Sequence, residues 1–321
     1  MKAIINDEYG PIDNLQARVI ERPSIGDDDV LVRVRAAGLH IGDVFGVRGA
    51  PYLMRLATGL RRPKYGVPGF DVAGVVESVG AGVTRFNVGD EVFGVSDGSA
   101  AEFARASESQ LAIKPATLSF EEAAAIPTSA SAALEGLRDA GKLRAGQRVL
   151  VVGASGGVGT FAVQIAKAVG AEVTGVTSTR NVELVRSIGA DRVIDYTTED
   201  FAADGPQYDL ILDSIENRPL ADLRRALKPD GTLLLNSGTG ASGLRMLVRL
   251  VRPIVLSLLS RQAMRRFLSH PNADDLAYLA SLAEQGKLRP VIGATYPLEE
   301  TVAALRYIAG GHARGKTVVA M

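Results

Sequence analysis

The chain contains 321 residues, of which 46% are hydrophobic and 22% are charged, a composition typical of globular proteins. This length exceeds one ordinary hydrophobic core and predicts two domains. Lysine plus arginine and aspartate plus glutamate both number 36, and this zero balance argues against a nucleic-acid partner. Cysteine is absent, which excludes disulfides and cysteine-ligated zinc or iron–sulfur sites. The three histidines lie far apart, so no metal site is expected.

Residues 1 to about 120 have the pattern of strands joined by turns. Alternating or β-branched runs, separated by glycine-containing turns, occupy 30–38, 69–80 and 90–95. These short strands predict a compact β-rich barrel. Ser119, followed three residues later by Glu122, forms a capping-box pattern, which predicts that a helix begins there.

After Gly146 the chain alternates between apolar strands and amphipathic helices. Strands are predicted at 148–154, 172–178, 192–196, 208–215 and 231–238. Helices are predicted between them at 158–169, 181–189 and 218–227. This order is typical of a parallel sheet wrapped by crossover helices. From about 270 onward, two helices and two strands either extend this sheet or return to the first domain.

The stretch GASGGVG joins the first strand of the sheet to its helix. A loop almost without side chains lets backbone N–H groups approach a pyrophosphate, and the helix N-terminus adds a favourable dipole. The alternative, a tight turn without a ligand, is disfavoured by the flanking strand and helix. The candidate cofactor-binding residues of this loop are Gly153, Ser155, Gly156, Gly157, Val158 and Gly159.

The next strand ends in Thr177-Ser178-Thr179-Arg180, without the acid that binds the ribose hydroxyls in NAD sites. Hydroxyl groups and a fixed cation at this point favour a 2′-phosphate, and therefore NADP(H). In the alternative interpretation, Arg180 belongs to the first turn of the following helix and pairs with Glu183.

The run GASGGVGTFAVQIAKAVGAEVTGVTSTRNVELVRSIGADRVIDYTTEDF, with PGFDVAGVVESVG before it and GHARGKTVV after it, resembles the zinc-free, quinone-oxidoreductase-like branch of the medium-chain dehydrogenase/reductase family. The resemblance covers nearly the whole chain. It implies an α/β fold: a GroES-like β-rich catalytic domain plus a doubly wound Rossmann domain with a parallel sheet. The catalytic domain would comprise 1–122 and, after the NADP(H)-binding domain at 123–270, the returning residues 271–321.

The resemblance also bears on zinc. Zinc-dependent members of the family carry a Cys near position 40 and Gly-His-Glu near position 70, where this chain has His40 and Gly69-Phe70-Asp71. Two of three ligands are therefore missing. We expect no metal, and we expect Asp71 to anchor a turn.

The resemblance implies further cofactor contacts. The loop residues 156–158 would face the pyrophosphate, Ser178 and Arg180 the 2′-phosphate, and Thr128 the nicotinamide. The remaining implied contacts are Tyr196 on the adenosine side, Asn236, Ser237 and Gly238 at the end of the last predicted strand, and Lys316 near the end of the cofactor. Tyr196 as a packing residue and Lys316 as a solvated loop residue are the alternatives.

Without a metal, hydride transfer suits acceptors whose reduced anion is delocalised, such as quinones and α,β-unsaturated ketones. The resemblance places His40 and Asp43 beside the nicotinamide, where His40 would donate a proton or orient the substrate. A purely structural histidine is the alternative. Many similar proteins have a Tyr at the position of Phe45, and Tyr52 is the candidate that would replace this lost phenol.

The segment 231–273 contains no Asp or Glu, and arginines alternate with apolar residues in its second half. Helical spacing of Leu244, Leu247, Val248 and Val251 predicts an amphipathic helix over the Rossmann edge or cleft. The alternative is weak contact of 244–266 with an anionic membrane surface, through Arg245, Arg249, Arg252, Arg261, Arg265 and Arg266.

Together these observations predict a metal-independent, NADPH-dependent oxidoreductase that transfers hydride to a quinone or an α,β-unsaturated carbonyl compound. The alternatives are a zinc-independent alcohol or aldehyde oxidoreductase, and a non-catalytic NADPH-binding protein with a redox-sensing or structural role. The first residues lack the apolar core of a signal peptide, so we expect a cytoplasmic location. By analogy with similar proteins we expect a homodimer.

Overall fold

The computed structural model describes residues 1–50, 52, 55–64, 66–236, 253, 256–257 and 260–321. These residues form two compact units. The first unit comprises 1–131 and 270–321, and the second unit comprises 132–269. The boundary at 131 lies later than the expected one at 122, because helix α3 (Phe120–Ala124) packs against strands β3 and β4 of the first unit.

The strands of the first unit are β1 (Lys2–Ile5), β2 (Gln16–Val19), β3 (Asp29–Leu39), β4 (Asp71–Val79), β5 (Glu91–Val95), β6 (Phe103–Ser107), β7 (Leu111–Ile113), β14 (Ile292–Pro297) and β15 (Lys316–Ala320). Within the described part of this unit, seven strands form one sheet in the order β14-β15-β3-β4-β5-β7, with β6 paired to β3. The pair β1-β2 forms a separate antiparallel sheet. Strand β15 pairs antiparallel with β3, so the end of the chain lies beside a strand from its beginning.

The helices of the first unit are α1 (Ile41–Arg48), α2 (Arg55–Thr58), α3, α8 (Ala273–Glu284) and α9 (Thr301–Ala309), and α4 (Pro127–Glu135) begins there. Capping boxes start two of them. Ser119 and Glu122 bond each other's backbone N–H groups at the start of α3, which confirms the sequence prediction. At the start of α1 a related arrangement is made by His40, whose ring accepts the Gly42 N–H, and by Asp43, whose carboxylate accepts the His40 N–H.

The second unit has the strands β8 (Arg148–Val152), β9 (Glu172–Thr177), β10 (Arg192–Asp195), β11 (Tyr208–Asp213), β12 (Leu227–Leu235) and β13 (Ala263–Arg266). All described pairings are parallel, in the order β10-β9-β8-β11-β12-β13. Numbered from β8, this is the order 3-2-1-4-5-6 of doubly wound dinucleotide folds, in which ligands bind outside the carboxyl ends of the strands. The predicted α/β fold is confirmed.

Crossover helices α5 (Gly157–Val169), α6 (Val182–Ser187) and α7 (Leu220–Ala226) connect these strands. The apolar positions of α5 that share one face in the sequence, including Phe161 and Ile165, are buried. The core on the other side of the sheet includes Leu150, Ile211 and Leu233. Continuous apolar strands such as β8 and β11 are expected in a sheet that is covered on both faces.

Strand β13 was not predicted from the sequence. Residues 263–266 pair in parallel with β12, and Met264 lies in the core at 4% exposure. Arg265 donates to the Ala140 carbonyl oxygen, and Arg266 pairs with Glu216. These two arginines therefore have partners within the protein.

The predicted amphipathic helix lies outside the described residues. This applies to Leu244, Leu247, Val248 and Val251 and to Arg245, Arg249 and Arg252. In the part of the chain that the structure describes, there is no helix both long enough and apolar enough to cross a membrane.

Candidate active site

The loop between β8 and α5 has the geometry of a phosphate cradle. Gly153 adopts a left-handed conformation (φ 81°), and Gly156 is the N-cap of α5. A Cβ on Gly159 would lie 2.1 Å from the Gly153 carbonyl oxygen, so only glycine lets the helix start so close to the loop. Gly157, Val158 and Gly159 form the first turn of α5, where backbone N–H groups have no partner inside the helix and attract anions.

Ser155, the one polar side chain of this loop, is bonded to the neighbouring strand. Its Oγ accepts hydrogen bonds from Thr177 Oγ1 at 2.8 Å and from Asn181 Nδ2 at 3.2 Å. Asn181 also reaches Ser178 Oγ, at 3.4 Å. The sequence analysis did not identify Asn181, because its position suggests only a helix-start residue.

The tip of β9 lies beside the phosphate loop. Ser178 is half-buried and Arg180 is exposed. Glu183, the alternative partner of Arg180, forms an ion pair with Arg186 at 2.6 Å. The nearest acid along this edge is Asp195, at the end of β10.

The Asp195 carboxylate is occupied by donors from two turns. The Thr179 side chain and the Thr197 backbone and side chain lower the pKa of this carboxyl by hydrogen bonding. Thr179 Oγ1 and Thr197 Oγ1 also bond each other at 3.0 Å. The Asp195 carboxylate is therefore hydrogen-bonded to hydroxyl and amide groups of the two turns.

Two further predicted cofactor residues lie at the carboxyl edge. Tyr196 follows β10, its backbone N–H donates to the Thr177 carbonyl oxygen, and its side chain is 57% exposed, which argues against the packing alternative. Asn236 follows β12 and its N–H donates to the Asp213 carbonyl oxygen. Ser237 and Gly238 lie outside the described residues.

An ion pair at this edge was also not predicted from the sequence; its side chains, Arg266 and Glu216, are 24% and 5% exposed. Glu216, with a left-handed backbone (φ 54°), accepts two hydrogen bonds from Arg266, at 2.8 and 2.7 Å. Asp213 supports the turn by accepting the N–H groups of Ile215 and Glu216. Without knowledge of β13, nothing in the sequence connects Arg266 with Glu216.

In the first unit, Lys316 is buried rather than solvated. Its side chain is 1% exposed, and Nζ lies 3.1 Å from Asp71 Oδ2 and 3.1 Å from Ser129 Oγ. The other oxygen of Asp71 accepts the Thr128 backbone N–H at 3.0 Å and the Thr128 hydroxyl. The alternative of a loop lysine is therefore wrong, and Thr128 is fixed by the same carboxylate.

His40 and Asp43 lie together at the start of α1. His40 Nδ1 accepts the Gly42 N–H at 3.0 Å, and Asp43 Oδ2 accepts the His40 N–H at 2.7 Å. The imidazole stacks against Phe70, with ring centroids 6.0 Å apart. His40 Nε2 is buried and has no hydrogen-bond partner among the described residues.

Asp43 is almost fully buried, at 1% exposure. Burial raises the pKa of its carboxyl above the ordinary value, and Asp71 adds to this effect, whereas His40 and Lys316 oppose it. The first unit thus holds two carboxyl groups, one ammonium and one imidazole in one electrostatically coupled cluster.

Tyr52, the third predicted catalytic residue, is placed differently. Its side chain is 78% exposed, and the guanidinium of Arg55 lies 4.7 Å from the centre of its ring. The described contacts do not bring this phenol to His40 or Asp43.

Comparison with known proteins supports the same assignment of the fold. Residues 26–134 match the family model of the alcohol dehydrogenase GroES-like domain, and 188–319 match the model described as zinc-binding dehydrogenase. A 2-methylene-furan-3-one reductase from Solanum lycopersicum and an NADPH-dependent alkenal/one oxidoreductase from Arabidopsis thaliana are each 34% identical, over 99% of this chain and 79% of theirs.

Among solved structures, the quinone oxidoreductase from Coxiella burnetii superposes with a TM-score of 0.86 at 30% identity, covering 100% of this chain and 99% of the other. The parallel sheet of the second unit and the sheet of the first unit match the fold of these relatives. This chain therefore belongs to the quinone-oxidoreductase-like branch of the medium-chain dehydrogenase/reductase family, and is an oxidoreductase that uses a nicotinamide cofactor on a small-molecule substrate.

Proposed function

We propose that this protein is a metal-independent, NADPH-dependent reductase of quinones or α,β-unsaturated carbonyl compounds. The observation that carries the proposal is the fixed orientation of His40, whose Nδ1 is an acceptor and whose Nε2 is buried without a described partner. The relatives named above, whose names denote reduction of furanones, alkenals or enones and quinones, support the same substrate classes.

The hydrogen bond from Gly42 determines which nitrogen of His40 carries the proton. Because Nδ1 accepts the backbone N–H, the proton of the neutral ring resides on Nε2. Stacking on Phe70 and the capping bond hold the ring in place. His40 Nε2–H would therefore donate to the substrate oxygen as negative charge develops on it, which stabilises a delocalised enolate or quinol anion.

Asp43 supports the position of His40 and does not contact Nε2, the donor nitrogen. Its Oδ2 bonds the backbone N–H of His40 and lies 3.6 Å from Nδ1, beyond hydrogen-bond distance. We assign Asp43 to holding the start of α1, and so the position of the imidazole.

The engagement of Asp71 supports metal independence. This residue stands where zinc-dependent members carry an acid of their Gly-His-Glu motif, and here both its oxygens are occupied, one by Lys316 and the other by Thr128. Phe70, the preceding residue, offers no ligand atom. A fixed ammonium is thus already paired with the carboxylate, and the remaining donor set does not suit zinc.

The second unit fits a dinucleotide. The glycines of the β8–α5 loop leave room for a pyrophosphate, and a bound nicotinamide supplies the hydride. Ser178 and Arg180 would hold the 2′-phosphate, and Tyr196 would cover the adenosine side. The Asp195 carboxylate at the end of β10 accepts hydrogen bonds from Thr179 and Thr197, which lower its pKa.

A deuterium-transfer experiment tests the proposal. Purified protein is incubated with 4-deuterated NADPH and either a simple quinone or a simple enone, in the presence and absence of a chelator. With the enone we expect deuterium at the β-carbon of the saturated product. With the quinone, whose product exchanges its O–D with water, we expect the deuterated NADPH to be oxidised more slowly than ordinary NADPH. The chelator should change neither rate. No transfer to either acceptor class, or a rate abolished by the chelator, would refute the proposal. The cytoplasmic location and the homodimer stay predictions of the sequence analysis.

A further inference from the structure

One buried amide joins the two turns of the nucleotide edge. The side chain of Asn181 is 6% exposed and donates from Nδ2 to Ser155 Oγ at 3.2 Å and to Ser178 Oγ at 3.4 Å. Ser155 belongs to the loop after β8, and Ser178 follows β9. Since a buried amide is costly unless it is hydrogen-bonded, these two bonds fix Asn181 and both hydroxyl oxygens relative to each other.

The donors and acceptors of Ser155 can be counted. A hydroxyl group has one proton to donate and two acceptor positions. Ser155 Oγ accepts from Asn181 and also from the hydroxyl of Thr177, which is 2% exposed, at 2.8 Å. Both acceptor positions are therefore occupied, and the Ser155 proton can only be donated away from these partners.

Ser178 is constrained in a similar way. Its Oγ accepts from the same amide of Asn181, which leaves its proton for donation. Ser178 follows β9, and Ser155 is hydrogen-bonded to Thr177, the last residue of that strand. The end of this strand is the position at which a doubly wound fold binds the ribose of the adenosine half. Two oriented O–H donors beside an arginine form a site for a phosphate dianion.

We propose that Asn181 is a positioning residue for cofactor selectivity: it orients the hydroxyls of Ser155 and Ser178 so that both donate to the 2′-phosphate of NADP(H). This inference rests on the proposed NADPH preference. Asn181 itself does not touch the cofactor in this arrangement. Its effect depends on the amide being a donor, so the residue type matters as well as the volume.

Two substitutions of Asn181 distinguish the loss of its hydrogen-bond donor from the loss of its packing. Asn181→Asp keeps the size but presents acceptors, so the hydroxyl protons of Ser155 and Ser178 turn inward, towards a new negative charge. Asn181→Leu removes the donor and keeps the number and branching of the side-chain heavy atoms. Ser187→Ala is a matched control on α6, because it removes a hydroxyl that bonds only the Leu184 carbonyl oxygen among the described residues.

The experiment measures dissociation constants for NADPH and NADH by titration calorimetry in wild type and in each variant, with the melting temperature recorded in parallel. We expect Asn181→Asp to lower the preference for NADPH over NADH by about tenfold or more, and Asn181→Leu to lower it by a few-fold, because charge-assisted hydrogen bonds to phosphate are lost. The affinity for NADH should change by less than about twofold, and Ser187→Ala should change neither affinity.

The inference is overturned if wild type prefers NADPH and both Asn181 variants keep that preference. It is also overturned if the variants weaken the binding of NADPH and NADH equally. A wild type that binds NADH as tightly as NADPH would instead refute the proposed cofactor preference. If the Asn181 variants fail to fold, Ser155→Ala and Thr177→Val supply the test. Both should lower the preference, and Thr177→Val should have no further effect when Ser155 is already Ala.

Discussion

The nucleotide edge of the second unit is built from residues that lie close together in the sequence, whereas the charged cluster of the first unit is assembled from distant ones. Ser155, Ser178 and Asn181 fall within two adjacent βα turns. Lys316 and Asp71 are separated by 245 positions and meet only because β15 pairs with β3 and β3 with β4. The Arg266–Glu216 pair of the edge is 24% and 5% exposed, whereas the Lys316–Asp71 pair is 1% and 0% exposed.

This difference has an energetic consequence. An exposed ion pair contributes little to stability because water and salt screen it. Removing one partner of a buried pair leaves an uncompensated charge and is strongly destabilising. The first unit should therefore depend on its charges for folding, and the second unit should depend on its polar groups mainly for binding.

The largest expected effect is on the buried pair. Lys316→Met should lower the free energy of unfolding by about 3–5 kcal/mol, because Asp71 stays buried without its cation. Lys228→Met is the matched control in the second unit: the Lys228–Asp209 pair is 40% and 24% exposed, and its loss should cost at most about 1 kcal/mol. Urea unfolding of both variants checks the contrast, and equal losses would contradict it.

The double variant Lys316→Met/Asp71→Leu sharpens this test. Since a buried pair can often be replaced by apolar groups at little cost, most of the lost stability should return. A double variant no more stable than Lys316→Met would show that Asp71 is needed for its bonds to Thr128 rather than for its charge.

The second effect concerns chemistry. His40→Phe should lower kcat for quinone or enone reduction by about 10²-fold, because the Nε2–H donor is lost while a ring remains against Phe70, and should leave the KM for NADPH nearly unchanged. Steady-state kinetics with a saturating acceptor provides the measurement. A loss confined to the KM for NADPH would assign His40 to cofactor binding instead.

The third effect lies at the nucleotide edge. Arg180→Ala should raise the KM for NADPH by about tenfold and the KM for NADH much less, because only NADPH carries the 2′-phosphate that the guanidinium would hold. Arg186→Ala, which removes a nearby cation paired with Glu183, is the control and should affect neither. If the KM values for NADPH and NADH rise equally, Arg180 has only a structural role.

The smallest effect is on the pH dependence of stability, and it differs in direction between the units. Burial raises the pKa of Asp43, so the native state retains a proton that the unfolded chain has already lost. Stability therefore falls as the pH rises from the ordinary Asp range through the raised pKa. Asp43→Asn should remove this fall.

Asp209 behaves in the opposite sense. Burial alone would raise its pKa, but hydrogen bonds from the Arg148 backbone and from Lys228 outweigh burial and lower it. The ionised Asp209 stabilises the protein at pH values above the ordinary pKa of aspartate. This stabilisation is lost as the pH falls through the lowered pKa of Asp209. Urea unfolding of wild type, Asp43→Asn and Asp209→Asn over a pH series checks this. The difference in free energy of unfolding between wild type and variant should change with pH in opposite directions for the two substitutions. A change in the same direction would contradict the contrast between the two units.

The same comparison shows what the sequence could predict. The phosphate loop, the acid-free tip of β9 and the alternation of strands and helices follow from local spacing, because glycine loops and βα alternation are encoded within a few residues. The burial of Lys316 could not be predicted, since its partner lies in another strand and depends on sheet pairing. Strand β13 was missed because four residues, AMRR, carry no clear alternation.

The roles of Asn181 and Tyr52 illustrate the remaining difficulty. Asn181 acts through hydrogen bonds to two side chains whose relative position only the fold defines. Tyr52 was selected as a substitute for a missing phenol by nearness in sequence, and its exposed place against Arg55 gives that prediction no support.

The central claim, reduction by NADPH without a metal, is tested most directly by kcat/KM for one quinone and one enone, measured with NADPH and with NADH in the presence of a chelator. We predict turnover with at least one acceptor, a preference for NADPH of about tenfold or more, and no effect of the chelator. Turnover that favours NADH, or that stops when the chelator is added, would contradict it.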